Sequence, residues 1–313
     1  MASSRRSSSG SSWSAEARDR FARLSHAPWS TREKKVGGIF VTFSSLRDVF
    51  AHREVLSLLI RRDLKARYKD SALGMFWVLI KPLVQLAIYY VAIGLFLGAS
   101  RGIPNFAIYI FTGLTIYGLF SEIVSGGTQS INQNGGLIKK VYLPREIFPI
   151  ASTGSALINS GVQFGLLIAA SMLSGAFNFS SEALFILPSI LIIVVYALAL
   201  GILLSAVNVY LRDMQYLVEV FLMIFMWASP IIYSWAMVAK IMGPGILLEI
   251  YTNNPITLAV MGMQRGFWQG NDDTAYPDFM LMRMGIAFVV GLILLVACQR
   301  AFNRLEGDFA QSL

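Results

Sequence analysis

The sequence predicts an all-α integral membrane protein with six transmembrane helices, an N-terminal amphipathic interface helix and a re-entrant outer helix pair before the last span. Three observations carry this. The 313-residue chain is 55% hydrophobic and only 14% charged, with a mean hydropathy of +0.59, whereas soluble domains carry about 25% charged residues. Several apolar runs reach about twenty residues, the length a helix needs to cross a ~30 Å hydrocarbon core. Lys and Arg also gather on alternate loops, as the positive-inside rule requires of a multi-pass protein.

Residues 1–40 read as a disordered, basic, Ser-rich cytoplasmic tail. Eight basic and three acidic residues give it +5 of the chain's net +8. It has no apolar core of the kind a signal peptide needs. Residues 41–313 form the membrane domain. The remaining positive charge lies mostly at the inner interface, where anionic lipid attracts each basic side chain by ~1 kcal/mol, so no nucleic acid is needed to explain it.

The interface helix spans 46–70. Leu46, Val49, Phe50, Leu56, Leu59, Ile60, Leu64 and Tyr68 keep helical spacing, with Arg53, Glu54, Arg61, Arg62, Lys65 and Lys69 largely on the remaining face. Such a helix lies in the headgroup region with its basic face toward phosphate or water. It is either a plain anchor or, because it runs directly into the first span through Ser71–Gly74, a device that positions that span. Lys81 is near enough to the inner edge to snorkel, and Pro82 is expected to kink the helix.

The six spans are expected at Phe76–Leu97, Phe106–Ile123, Phe148–Leu173, Leu184–Val207, Leu217–Trp235 and Met280–Ala301. Gly245–Gly270 is apolar but interrupted by Asn253, Asn254, Pro255, Gln264 and Arg265, which fits a re-entrant pair buried against protein. Lys139, Lys140, Arg145, Arg212, Arg300 and Arg304 fall on one side, while Gly175–Ala183 has no basic residue and Gly98–Asn105 only Arg101. Both termini are therefore expected in the cytoplasm, with the protein multi-pass in the inner or plasma membrane.

Catalytic patterns are nearly absent. There is no G-x-x-x-x-G-K-[ST] phosphate loop and no H-E-x-x-H zinc site, since the only histidines are His26 and His52. Cys298 is the sole cysteine, which excludes an internal disulfide and a thiolate metal cluster. "GASRG", Gly98–Gly102, fits the G-x-S-x-G nucleophile pattern, but both histidines lie across the membrane from it. No metal, cofactor or catalytic residue is expected in this chain.

Polar features on the spans are few. Arg212 and Asp213 read as a cap and interface pair for spans four and five, and Glu219 as a group with a structural partner. Gly94–Gly98 and Gly161–Gly165 are G-x-x-x-G patterns, expected to pack within the chain. Aromatics collect near the outer ends: Tyr89, Tyr90 and Phe96, then Phe106 and Tyr109, then Trp227, Tyr233 and Trp235. They form either the ordinary interfacial belt or a ring that stacks on sugar faces. The inner loop Gly126–Ile147 should display Leu137, Ile138, Val141 and Leu143 among Lys139, Lys140, Arg145 and Glu146, a knob suited to docking another protein.

Taken in order, "RDLKARYKDSALGMFWVLIKPL", "NGGLIKKVYLPREIFPI", "NVYLRDMQYL" with "SPIIY", and "NPITLAVMGMQRGFWQG" resemble the permease subunits of ABC exporters for lipid-linked polysaccharides and teichoic acids (the Wzm and TagG type). The resemblance runs from about Leu46 to the C-terminus. It implies a six-span permease that pairs with a second copy of itself and binds two copies of an ATP-binding subunit, which would hold the ATP and Mg. The coupling helix would lie in 132–147, with Gly135–Ile147 seated on that subunit. Ser71–Phe76 would match the junction where the lipid-linked head group is admitted, served by Arg61, Arg62, Lys65, Arg67, Lys69 and Ser71. The eight outer aromatics would line the glycan path. The tail before Phe40 has no counterpart in the pattern; it looks like those of actinobacterial members, which makes a cell-wall galactan the first expectation for cargo, with O-antigen the other. Three rivals remain: a lipid or drug efflux permease, which needs no long interface helix; an ion-coupled flippase, which needs mid-membrane acids; and a membrane-embedded sugar or phosphate enzyme, which needs clustered acids beyond Asp272, Asp273 and Asp278.

Overall fold

The computed structural model describes residues 52–69, 71, 73–98, 103–141, 143–175, 181–268 and 276–309. The expected tail, the first residues of the interface helix (46–51), the 99–102 part of the G-x-S-x-G pattern, and Asp272 and Asp273 lie outside the described residues. All described residues belong to one compact unit, Thr42–Leu313, and among them there is helix and no strand.

The interface helix is α1, Arg53–Tyr68. A 3-10 turn at Gly74–Phe76 leads into α2, Trp77–Tyr89, which continues as a π-helical segment, Tyr90–Phe96. Then follow α3 (Phe106–Gln133), α4 (Gly135–Ile138), α5 (Ile147–Leu173) and α6 (Ile186–Tyr210). The remainder is α7 (Met214–Trp227), α8 (Trp235–Met242), α9 (Ile246–Thr252), α10 (Pro255–Phe267) and α11 (Met280–Leu305). Among the described residues, five helices are long and apolar enough to cross a membrane: Trp77–Phe96, Phe106–Gln133, Ile147–Leu173, Ser181–Tyr210 and Met280–Leu305.

The expected fifth span, Leu217–Trp235, is built differently. Helix α7 has 14 residues and stops at Trp227, about 21 Å at 1.5 Å per residue. Residues 228–234 are irregular, because Pro230 pushes Ser229 away from helical geometry. Irregular backbone among apolar helices is tolerated where its polar groups find partners inside the protein. Here Tyr109 Oη donates to the carbonyls of Pro230 (3.1 Å) and Tyr233 (2.9 Å). Gln264 Nε2 donates to Pro230 O at 2.8 Å, and Tyr233 Oη to Trp227 O at 2.8 Å.

Helices α3 and α6 make the centre of the core, flanked by α5, α10 and α11. They come very close: a Cβ added at Gly127 would sit 2.8 Å from Gly201 Cα. Of the most apolar window in α3, 78% is buried, against 11% in Trp77–Phe96, so the first span is a peripheral helix on a dense bundle. Within the stretch expected as a re-entrant pair, α10 is buried almost throughout against α3 and α6, whereas most of α9 is exposed. Arg283 on α11 holds α9 through Glu249, at 2.5 and 3.2 Å, and Asn253 at 3.0 Å.

The two G-x-x-x-G patterns part company. Gly94 lies against the Phe106 ring, where a Cβ would meet ring carbons at 2.9 Å. Gly161 and Gly165 are exposed with nothing within 4 Å, so the expected packing within one chain is absent there. Asp213 stands at the N-cap of α7 without a side-chain cap bond. Among the described residues it forms no ion pair with Arg212, and Glu219 is exposed without a hydrogen-bond or ion-pair partner, correcting both expectations.

Candidate functional site

At the end of the bundle where α1 packs, α1, α2, α3 and α5 line a polar cleft. Its first chamber, about 460 Å³, is lined by residues including Asp63, Arg67, Glu122, Gln129, Asn134 and Ser155. A second chamber of about 560 Å³ is lined by Arg67, Lys81, Gln85, Glu122, Asn159 and Gln163, with Trp77, Val78, Pro82 and Leu114 as an apolar wall. Both volumes fall in the range of small-molecule sites, roughly 300–1,000 Å³.

The two chambers share Arg67 and Glu122, which form an ion pair. Asn159 Nδ2 donates to the same Glu122 oxygen at 2.7 Å. Glu122 is the only charged residue of α3, and an acid on such a helix is costly unless paired or facing a cavity; here it does both. Lys81 is exposed and has no hydrogen-bond or ion-pair partner among the described residues. The acid-poor spans expected from the sequence thus carry one acid in a built setting. Glu122, Asn159, Gln163 and Gln85 were all missed by sequence reasoning. The available signal was one acid and three amides in runs otherwise apolar enough to span a membrane.

The cleft takes up part of the basic segment. Arg67 is bound to Glu122. Arg62 is held by Asp63 at 2.8 Å and Asn134 at 2.5 Å, which pins α1 to the end of α3. Arg61, Lys65 and Lys69, four residues apart and so on one helical face, are exposed without such partners among the described residues. Ser71 Oγ accepts from Gly74 N at 3.2 Å and shapes the turn into the first span. On its other face α1 packs Leu59 with Ile147, Phe148 and Ala151 of α5.

The inner loop differs from the expected knob. Leu137, Ile138 and Leu143 are half-buried, packed on the Leu59 cluster, because α4 is a single turn whose apolar side meets α1 and α5. Glu146 is 3% exposed and accepts from Gln299 at 3.3 Å. Arg145 donates to the carbonyl of Glu306 and lies 5.3 Å from the centre of the Phe309 ring. Lys139, Lys140 and Val141 are the exposed members.

The eight outer aromatics also divide. Tyr90, Phe96 and Trp227 are exposed, and Tyr89, Tyr233 and Trp235 half-buried. Phe106 and Tyr109 are core residues, with Tyr109 edge-on to Trp268 at 5.0 Å. Trp235 Nε1 donates to Thr252 Oγ1 at 2.8 Å. Among the described residues no group of His, Cys, Asp and Glu is placed to hold a metal ion.

The model of a protein family described as ABC-2 type transporter matches residues 54–268. The chain is 28% identical over 269 residues to a protein of Myxococcus xanthus named O-antigen export system permease protein RfbA, covering 86% of this chain and 98% of that one. A Klebsiella pneumoniae protein of the same name is 26% identical over 261 residues, covering 83% of this chain and 95% of the relative.

Proposed function

The chain belongs to the ABC-2 type transporter family, and from that premise we propose that it is the permease of an ATP-driven exporter carrying a polyprenyl-pyrophosphate-linked polysaccharide out of the cytoplasm. As a member of that family it is a multi-pass membrane subunit of a transporter, not an enzyme, and works with an ABC ATPase. The observation that carries the cargo assignment is the near full-length similarity to permeases named for O-antigen export.

In this reading two copies of the chain form the conduit, two ATPase subunits supply ATP and Mg, and both termini face the cytoplasm of the inner or plasma membrane. The short helix α7 with the irregular 228–234 segment serves as a further span, and α9 with α10 as an outer re-entrant pair, giving six spans. A lipid-linked head group reaches the cleft beside Arg67 from the inner leaflet, with Arg61, Arg62, Lys65, Lys69 and Ser71 along its approach. Exposed Lys139, Lys140 and Val141 meet the ATPase. Tyr90, Phe96 and Trp227 offer flat faces to the emerging glycan, and the cargo is an O-antigen or a cell-wall galactan. Co-expression with the ATPase subunit of the same transporter tests this. The chain alone should hydrolyse no ATP, the complex should, and cells lacking either gene should retain lipid-linked glycan inside. Robust hydrolysis by the purified chain alone would sink the reading.

A further inference from the structure

Resting on that reading, we propose that Arg67 and Lys81 form a two-cation site for a lipid diphosphate, in which Glu122 is a resident anion that competes for Arg67. The three side chains come from separate elements, α1, α2 and α3, and line the same 560 Å³ chamber. Lys81 is unpartnered among the described residues, while Arg67 is occupied by Glu122. With that ion pair formed, the chamber presents one available cation.

A diphosphate carries more negative charge than one ammonium neutralises, and its oxygens match the planar fork of a guanidinium. Binding with both cations requires Arg67 to exchange Glu122 for phosphate. The geometry permits this. The Arg67 side chain is 43% exposed and has room to turn, whereas Glu122 is 20% exposed and stays anchored by Asn159, itself 5% exposed. Glu122 keeps its seat when Arg67 leaves, so Asn159 is a positioning residue. Trp77, Val78 and Leu114 give the same chamber apolar surface for the first carbons of the lipid.

The arrangement is selective by competition. A head group must out-compete a carboxylate for Arg67, which a neutral or singly charged lipid does poorly, and specificity built on a competing internal group rejects such ligands. Glu122 thereby sets a threshold of charge for loading.

The test uses the full chain in phosphatidylcholine nanodiscs, with farnesyl diphosphate as probe and Trp77 fluorescence as the signal, assigned with Trp77→Phe. Glu122→Gln keeps an acceptor for Asn159 but weakens the hold on Arg67, so it should bind the probe about tenfold more tightly. Glu122→Asp, which keeps the charge and shortens the reach, should fall between and serves if the Gln variant folds poorly. Arg67→Gln and Lys81→Gln should each bind about tenfold less tightly, and Glu122→Gln should add nothing once Arg67 is Gln. If Arg67→Gln and Lys81→Gln weaken binding but neither Glu122 variant tightens it, the competing anion is refuted while head-group admission at the cleft stands. If neither cation matters, both fail. Inorganic pyrophosphate displacing the probe at similar concentration would assign the site to a free diphosphate and overturn the lipid assignment; farnesol, which lacks phosphate, should not compete.

Discussion

Tyr109 illustrates how one hydroxyl can carry a break in a helix. It closes the carbonyls of Pro230 and Tyr233 in a segment that no backbone ladder serves. Tyr109→Phe leaves the Tyr233 carbonyl without that donor, and the unpaired group should cost about 1–3 kcal/mol, read as a lowered Tm in detergent. Phe96, 82% exposed, should tolerate Leu with no change in Tm. Replacing Tyr90, Phe96 and Trp227 with Ala should slow glycan export without affecting assembly; if export is unchanged, these rings only face lipid. The Arg283 guanidinium holds the Glu249 carboxyl below its ordinary value of 4.5. Its contribution to stability is therefore present above that value and is lost as pH falls through the lower, folded one. Glu249→Gln should lower Tm at pH 7, and the gap from wild type should narrow as pH falls below 4.5.

Among the elements, the inner loop separates surface from support. Lys139→Glu with Lys140→Glu should weaken binding of the ATPase subunit and leave Tm unchanged, because both side chains are exposed in the turn that follows α4. Arg145→Ala should act through the fold. Losing its contact with the Phe309 ring removes about 0.5–2 kcal/mol, and Phe309→Ala should reproduce the same loss of Tm and of ATPase binding. Normal binding in the Phe309 variant would show that this seat is irrelevant to docking. The helices themselves were legible: periodicity located α1, and apolar length located four of the five long spans to within a few residues, while the second runs on past the expected Ile123 to Gln133. What sequence could not supply was tertiary. Leu137 and Ile138 look exposed beside two lysines until α1 and α5 arrive to cover them. Glu122 looks like an isolated acid until Arg67, 55 residues earlier in the chain, is brought beside it.

At the level of the whole molecule, helix packing is uneven. The centre, α3 against α6, tolerates no added atom where Gly127 meets Gly201, so Gly127→Leu should destabilise by about 1–3 kcal/mol or more. Gly161→Leu, on an open face of α5, should stay within about 0.5 kcal/mol. Thermal melts of the two variants compare them directly, and equal losses would mean that Gly161 is covered in the membrane. The shared pattern G-x-x-x-G did not distinguish Gly94, packed on the Phe106 ring, from the open Gly161, because spacing reports that a close approach is possible and not which neighbour makes it.

The bond from Arg145 to Glu306 joins positions 161 residues apart, and that separation has a meaning in time. At about 5–20 residues per second of synthesis, the loop leaves the ribosome roughly ten to thirty seconds before its support exists. A nascent chain can thread its early helices into the bilayer during that interval, yet the loop around Arg145 has no finished footing. The motor subunit would then meet only completed permeases, and chains truncated before Glu306 should fail to recruit it while still inserting.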